Sequence, residues 1–180
     1  MRADTQDFDD VTKLCQKCYE EITSITQARY STTWNLVYEA GRCHKGEAWV
    51  AATIMCRGAL EATLHEAFAW EMRDGKLYLR TMLKYWRPNL ERLIEWAKDV
   101  SLLADDQVKI AREIQREGNF AAHLKQKIDE ELNKSKGRLA EKPYRLWTDE
   151  QTSWKLLTET VDLVIAIARR TFEIERTNPS

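Results

Sequence analysis

Glycine and proline are scarce in this sequence, and their scarcity limits the fold class. Among 180 residues there are 6 glycines and 3 prolines. These residues most often interrupt regular structure, so a fold with many β-turns or long loops is disfavoured. Apolar residues recur instead at three- and four-residue steps, which is the period of amphipathic helices. We therefore predict an all-α fold in which residues 1–180 form a single helical domain, a bundle of roughly five to seven helices.

Long apolar runs and an excess of either charge are also missing. No stretch approaches the about 18 apolar residues of a membrane span. The 29 acidic and 28 basic residues nearly balance, so any surface that attracts nucleic acid has to be local. The first residues, MRADTQDFDD, lack the apolar segment of a signal peptide. We therefore expect a cytoplasmic protein with no membrane partner.

Apolar spacing and turn residues place the helices along the chain. The predicted helices cover about residues 7–28, 31–40, 47–73, 77–99, 104–117, 120–135 and 149–176. The predicted interruptions are a turn between Gly41 and Gly46, a turn at Asp74-Gly75, a break before Pro88, a break or kink at Gly118-Asn119 and a loop at 135–147. Thr148 is the predicted N-cap of the last helix. The first helix is expected to pack on the rest of the bundle.

The cysteines allow two interpretations. Cys15 and Cys18 have the spacing of zinc ligands, and Cys43 with His44 would complete a set of four. However, Cys15 and Cys18 fall on the apolar face of a predicted helix, where cysteine packs as a small hydrophobic residue. We favour free thiols with no bound metal and no other cofactor, and zinc binding is the alternative.

One ion pair is predicted inside the long helix at about 47–73. Arg57 and Glu61 are one turn apart, so their side chains are in reach of each other. Both lie in the middle of an apolar face, so the pair is expected to be partly buried and structural. Support of a functional site is the alternative role.

A polar segment, REIQREGNFAAH at residues 112–123, carries the candidate site. If the Gly-Asn step only kinks the helix, Arg116 and His123 are two turns apart on the same side. Arg112 and Asn119 then share that side. If the step is a true break, Asn119 instead caps the following helix. Both geometries turn Arg116 and His123 away from the core.

The sequence after this segment is locally basic. Lys125 and Lys127 lie two and four residues after His123, and we group them with Arg112 as candidate substrate-binding residues, because cations hold phosphates. A polar helical side of this composition also occurs on many helices that only face solvent. A solvated surface without a function is therefore the alternative.

The motif resembles that of a known superfamily. An Arg and a His separated by about four to six residues are the signature of the HEPN superfamily, and here six residues separate Arg116 from His123. The fuller string IQREGNFAAH, preceded by CRGALEATLHEAF at 56–68, resembles its helical branch known as domain of unknown function 4145. The resemblance covers about residues 47–170, and it implies that this range is the motif-bearing core of the domain.

The resemblance implies a HEPN-like bundle that forms a homodimer in which two motifs face each other. It implies metal-independent RNA cleavage, in which the ribose 2′-OH attacks the adjacent phosphate. His123 would be the general base or acid, Arg116 would stabilise charge on the phosphate, and Asn119 would orient one of them or bind the phosphate. Since many HEPN proteins are not catalytic, an RNA-binding or protein-interaction module is the alternative. The implied partners are RNA and an antitoxin or another protein of a toxin or phage-defence system.

Overall fold

The structure is a computed structural model that describes residues 5–26, 30–71, 88–123 and 148–177. Within these ranges the chain forms six α-helices and no β-strand, which confirms the predicted all-α fold for this part of the chain. The helices are α1 (Thr5–Thr26), α2 (Ser31–Lys45), α3 (Trp49–Glu71), α4 (Leu90–Asp99), α5 (Asp105–Ala122) and α6 (Glu150–Thr177).

Helix α3 is the centre of the bundle. It packs against α2, α4, α5 and α6, whereas α1 packs on α2 and α6. The sequence of α3 explains this position, because small and large apolar residues are buried around it. These residues are Ala52, Cys56, Ala59, Leu60, Leu64, Ala67 and Phe68. The small ones allow neighbouring helices to approach closely, and the large ones fill the spaces between them.

Helix α2 continues through Gly41, where the sequence predicts the start of a turn. Gly41 is buried, and a Cβ atom at this position would lie 2.6 Å from Cys15 Sγ and 3.3 Å from Val11 Cγ1. The glycine is therefore needed for the close approach of α2 to α1. The predicted turn at Gly41 is wrong, and the helix ends at Lys45 with Gly46 as the C-cap.

The N-terminus of α2 is capped from α3. Tyr30 at the N-cap position makes no capping hydrogen bond with its side chain. Instead, the Glu66 carboxylate accepts hydrogen bonds from Thr32 N at 3.1 Å, Thr33 N at 3.3 Å and Thr33 Oγ1 at 2.6 Å. A carboxylate is favourable here because the first N–H groups of a helix lack partners and carry partial positive charge. These contacts connect α2 to α3.

The first residues of α4 and α6 are set by side-chain caps. Asn89 Oδ1 accepts a hydrogen bond from Arg92 N at 3.0 Å, so α4 begins one residue later, at Leu90. For α6 the acceptor is Asp149 Oδ1, which lies 2.7 Å from Thr152 N. The predicted N-cap at Thr148 is therefore wrong by one residue, and Thr148 is buried instead.

Several predictions fall outside the described ranges. They concern the turn at Asp74-Gly75, the segment 77–87, the helix beyond His123 and the loop at 135–147. In the ranges that are described, none of the helices combines the length and apolar content that crossing a membrane requires.

Candidate functional site

Helix α5, which carries the polar segment, is continuous from Asp105 to Ala122. The predicted break or kink at Gly118-Asn119 is absent. Gly118 is buried against α3, so this glycine serves a helix crossing and not a turn. Asn119 lies within α5, and its side-chain oxygen accepts a hydrogen bond from Arg57 of α3, so it does not cap a following helix. His123 is the C-cap residue of α5.

Four polar residues share one exposed face of α5. They are Arg112, Arg116, Asn119 and His123, and each is exposed. At about 100° per residue, their positions fall within an arc of roughly 60° around the helix. The opposite side holds the buried residues Ala111, Ile114, Gly118 and Ala121. We call these four polar residues the α5 face.

Arg116 is an exposed cation of the α5 face, and its side chain contacts the neighbouring Glu117. Its side chain is 70% exposed, and its Nε and Nη2 atoms lie 3.2 Å and 3.0 Å from Glu117 Oε1. The Arg116 end of this ion pair is largely in solvent, which weakens the interaction by screening, whereas the Glu117 side chain is only 19% exposed.

Asn119 is held by a residue of α3. Arg57 Nε donates a hydrogen bond to Asn119 Oδ1 at 2.8 Å. Arg57 Nη1 also lies 3.1 Å from Glu61 Oε2, and both side chains of this ion pair are 29% exposed. The ion pair expected from the one-turn spacing is thus present and partly buried. It is directly connected to the α5 face, and spacing within α3 carries no signal of that connection.

Gly118 explains how Arg57 reaches Asn119. A Cβ atom on Gly118 would lie 2.4 Å from Arg57 Cβ and 2.8 Å from Arg57 Cδ. The aliphatic part of Arg57 therefore passes directly over the backbone of α5. Glycine is the one residue that leaves room for this side chain. From the sequence alone, the same glycine predicts only a break or kink in the helix.

Carboxylates lie on the flank of the α5 face, towards α6. Lys155 Nζ donates to Glu113 Oε1 at 2.8 Å and lies 3.6 Å from Glu159 Oε1. Burial raises the pKa of Glu159 above its ordinary value, and the hydrogen bond with Glu113 raises the pKa of Lys155. This cluster connects α5 to α6 and partly neutralises the acids beside the face.

Two of the four residues of the alternative zinc site, Cys15 and Cys18, are buried in the core, and Cys43 is partly exposed. Burial raises the pKa of Cys15 and raises that of Cys18 to about 12, and it does the same for the buried Cys56, which lies outside that set. His44 Nδ1 lies 2.9 Å from Ser153 Oγ. Over the part of the chain that is described, no three His, Cys, Asp or Glu side chains are grouped as metal ligands.

We expect Cys43 to react first with iodoacetamide in the native protein, because it is partly exposed whereas Cys18 and Cys56 are buried. A buried thiol with a raised pKa holds almost no thiolate at neutral pH, and the thiolate is the reactive form. Mass spectrometry of peptides, after labelling with and without urea, measures this order. Native labelling of Cys18 as fast as that of Cys43 would contradict the packing described here.

The structure brings three of the predicted residues into contact, Arg57 and Glu61 on α3 with Asn119 on α5. Arg116 and His123 share the exposed face of α5 with Asn119. Arg112 shares the α5 face, while Lys125 and Lys127 lie outside the described ranges. A scan against protein-family models and searches of curated proteins and of solved structures find no match to this chain. Its function is therefore inferred from its own residues and their geometry.

Proposed function

We propose that this chain is a HEPN-like, metal-independent ribonuclease that acts through the α5 face. The observation that carries the proposal is the joint exposure of Arg116, Asn119 and His123 on one side of an uninterrupted helix. A continuous helix fixes their relative positions, which a loop would not do.

The reaction that suits these groups is cleavage of RNA by its own 2′-OH. The 2′ oxygen forms a bond to the adjacent phosphorus as the bond from phosphorus to the 5′ oxygen breaks, leaving a 2′,3′-cyclic phosphate and a 5′-OH. A base removes the 2′-OH proton, and an acid delivers a proton to the departing 5′ oxygen. Imidazole suits both roles because it gains and loses a proton near neutral pH.

The other two residues have complementary roles at the phosphate. The planar guanidinium of Arg116 donates paired hydrogen bonds to the phosphate oxygens, where negative charge increases in the transition state. Asn119 offers a neutral hydrogen-bonding group beside it. One His123 per chain supplies either the base or the acid, so the proposal includes a homodimer in which a second copy supplies the other.

A non-catalytic module that binds RNA or a protein is the second candidate, and one observation favours it. Arg116 is engaged by Glu117 through two of its nitrogens, and Glu113 lies on the flank of the same helix. Carboxylates beside the face weaken attraction to RNA. They suit a protein partner, such as an antitoxin or a protein of a defence system, that carries basic side chains.

Incubation of the purified protein with mixed RNA in EDTA tests the proposal. We expect cleavage that leaves 5′-OH and cyclic phosphate ends, and we expect His123→Ala to reduce the rate by a factor of roughly 10²–10⁴, since proton transfer contributes about this much. Gel analysis of end-labelled RNA measures the rate, and enzymatic end-labelling identifies the ends.

Arg42→Ala is the matched control, because Arg42 is an exposed arginine on α2 in a surface ion pair with Glu39. It should retain the parent's rate. Equal cleavage by His123→Ala and the parent would contradict the proposal. Binding of RNA without cleavage would support the non-catalytic module instead.

A further inference from the structure

We propose that Arg57 is a positioning residue that orients the Asn119 amide so that its NH₂ group faces the substrate. This inference deepens the proposed function and rests on it. It assigns Arg57 and Glu61 to the support of the α5 face, the role that their spacing leaves open beside that of a structural ion pair.

The first step concerns the direction of the amide. A guanidinium has hydrogen-bond donors and no acceptor. Because Arg57 Nε lies 2.8 Å from Asn119 Oδ1, the amide oxygen is turned towards α3 and is occupied. The Nδ2 group is therefore turned away from Arg57. Because Asn119 is exposed on the α5 face, this orientation of the amide turns two N–H donors towards solvent. A phosphate oxygen can accept hydrogen bonds from them, whereas a cation cannot.

The second step concerns how firmly Arg57 itself is held. Glu61 Oε2 lies 3.1 Å from Nη1 in an ion pair with the same guanidinium that donates to Asn119 from Nε. Two contacts on different nitrogens therefore restrict how the group can turn. The absence of a side chain at Gly118 lets the aliphatic part of Arg57 lie against α5. A guanidinium fixed in this way supports its neighbour at a defined angle.

The third step concerns charge. The Glu61 carboxylate partly compensates the charge of Arg57, and the Arg57 side chain is only 29% exposed. Arg116 is 70% exposed, so of these two arginines it is the one that can contact the substrate. The two arginines have separate roles: Arg116 contacts the phosphate, and Arg57 acts through Asn119.

Asn119→Asp separates positioning from simple structural support. Aspartate has nearly the same shape and keeps an oxygen that accepts from Arg57 Nε, so we expect the melting temperature to be unchanged or higher. It loses both N–H donors and adds a negative charge towards the phosphate. We therefore expect the rate of RNA cleavage to fall by at least about tenfold. Asn35→Asp, the same change at an exposed position of α2, is the matched control and should cleave like the parent.

Arg57→Met tests the connection from the α3 side. Methionine keeps an unbranched chain over Gly118 but removes the guanidinium. We expect Arg57→Met and Asn119→Ala each to reduce cleavage by about tenfold, and the double variant to be no slower than Asn119→Ala alone, because Arg57 acts only through Asn119. Arg42→Met, which removes a guanidinium from a surface ion pair on α2, should leave the rate unchanged.

The outcomes distinguish this inference from the function on which it rests. If the parent cleaves RNA and Asn119→Asp cleaves equally well, the amide is not a donor and the inference is overturned while the ribonuclease stands. Multiplicative losses in the double variant overturn it in the same way. If the parent binds RNA without cleaving it, the dissociation constants of the same variants are compared. We then expect the variants at Asn119 and Arg57 to bind RNA more weakly than the parent, and the control variants to bind it equally well. A parent that neither cleaves nor binds RNA removes both proposals.

Discussion

Gly118→Ala is expected to lower the free energy of unfolding by about 2 kcal/mol, although alanine is the better helix former. Two effects oppose each other. Alanine in a helix interior gains up to about 1 kcal/mol over glycine. Overpacking costs about 1–3 kcal/mol, and here the cost lies at the upper end, because the new methyl group would lie 2.4 Å from Arg57 Cβ. A Cβ atom cannot rotate away, so α5 has to move from α3.

Gly58→Ala provides the matched control on α3. A Cβ atom at Gly58 would lie 3.7 Å from Leu36 Cδ1, which is an ordinary contact. Here the helix propensity acts almost alone, so we expect an increase in stability of about 0.5–1 kcal/mol. Urea unfolding of the parent and the two variants measures both values. The helix crossing is wrongly described if Gly118→Ala stabilises the protein as Gly58→Ala does.

The same pair of variants also has opposite consequences for the α5 face. Displacement of α5 from α3 lengthens the contact between Arg57 Nε and Asn119 Oδ1, which is 2.8 Å in the parent. We therefore expect RNA cleavage to fall in Gly118→Ala and to persist in Gly58→Ala, measured below the melting temperature of both. Stability and activity are connected at Gly118 because one glycine serves both the packing and the site.

The glycines also show where sequence reasoning failed and why. Gly41 and Gly118 both interrupt an apolar pattern, and the sequence predicts a turn at the first and a break or kink at the second, because glycine is the residue most often found there. In the structure each lies inside a helix, against Cys15 in one case and Arg57 in the other. The atom that requires glycine belongs to another helix, and periodicity along one helix contains no information on what packs against it.

Contacts within a helix were accessible from the sequence for the converse reason. The pairing of Arg57 with Glu61 and the common side of Arg116 and His123 both follow from the helical repeat, which is a local property. The hydrogen bond from Arg57 to Asn119 joins residues 62 positions apart and depends on how α3 and α5 cross. The residues of the α5 face could thus be predicted, but their support from α3 could not.

When parent chains are mixed with His123→Ala chains, we expect the rate of RNA cleavage to fall more steeply than the fraction of parent chains. The proposed reaction needs a base at the 2′ oxygen and an acid at the 5′ oxygen in the same turnover. Of the three histidines, His123 belongs to the α5 face, His65 lies on α3, and His44 Nδ1 lies 2.9 Å from Ser153 Oγ. In a cleft shared by two copies, both His123 side chains are then required, so a mixed dimer is inactive.

The dependence on the mixing ratio decides between a shared and a separate site. When equal amounts of the two chains exchange freely, about a quarter of the dimers contain two parent chains, so cleavage should fall to about a quarter of the parent's rate at the same total concentration. If each chain acts alone, the rate falls only to about half. Parent mixed with Arg42→Ala controls for exchange and handling and should keep the full rate. If the cleavage rate depends linearly on the fraction of parent chains, or if light scattering shows a strict monomer, the second copy has no part in the mechanism. His123 would then have to act with a different proton donor, because the departing 5′ oxygen still needs a proton.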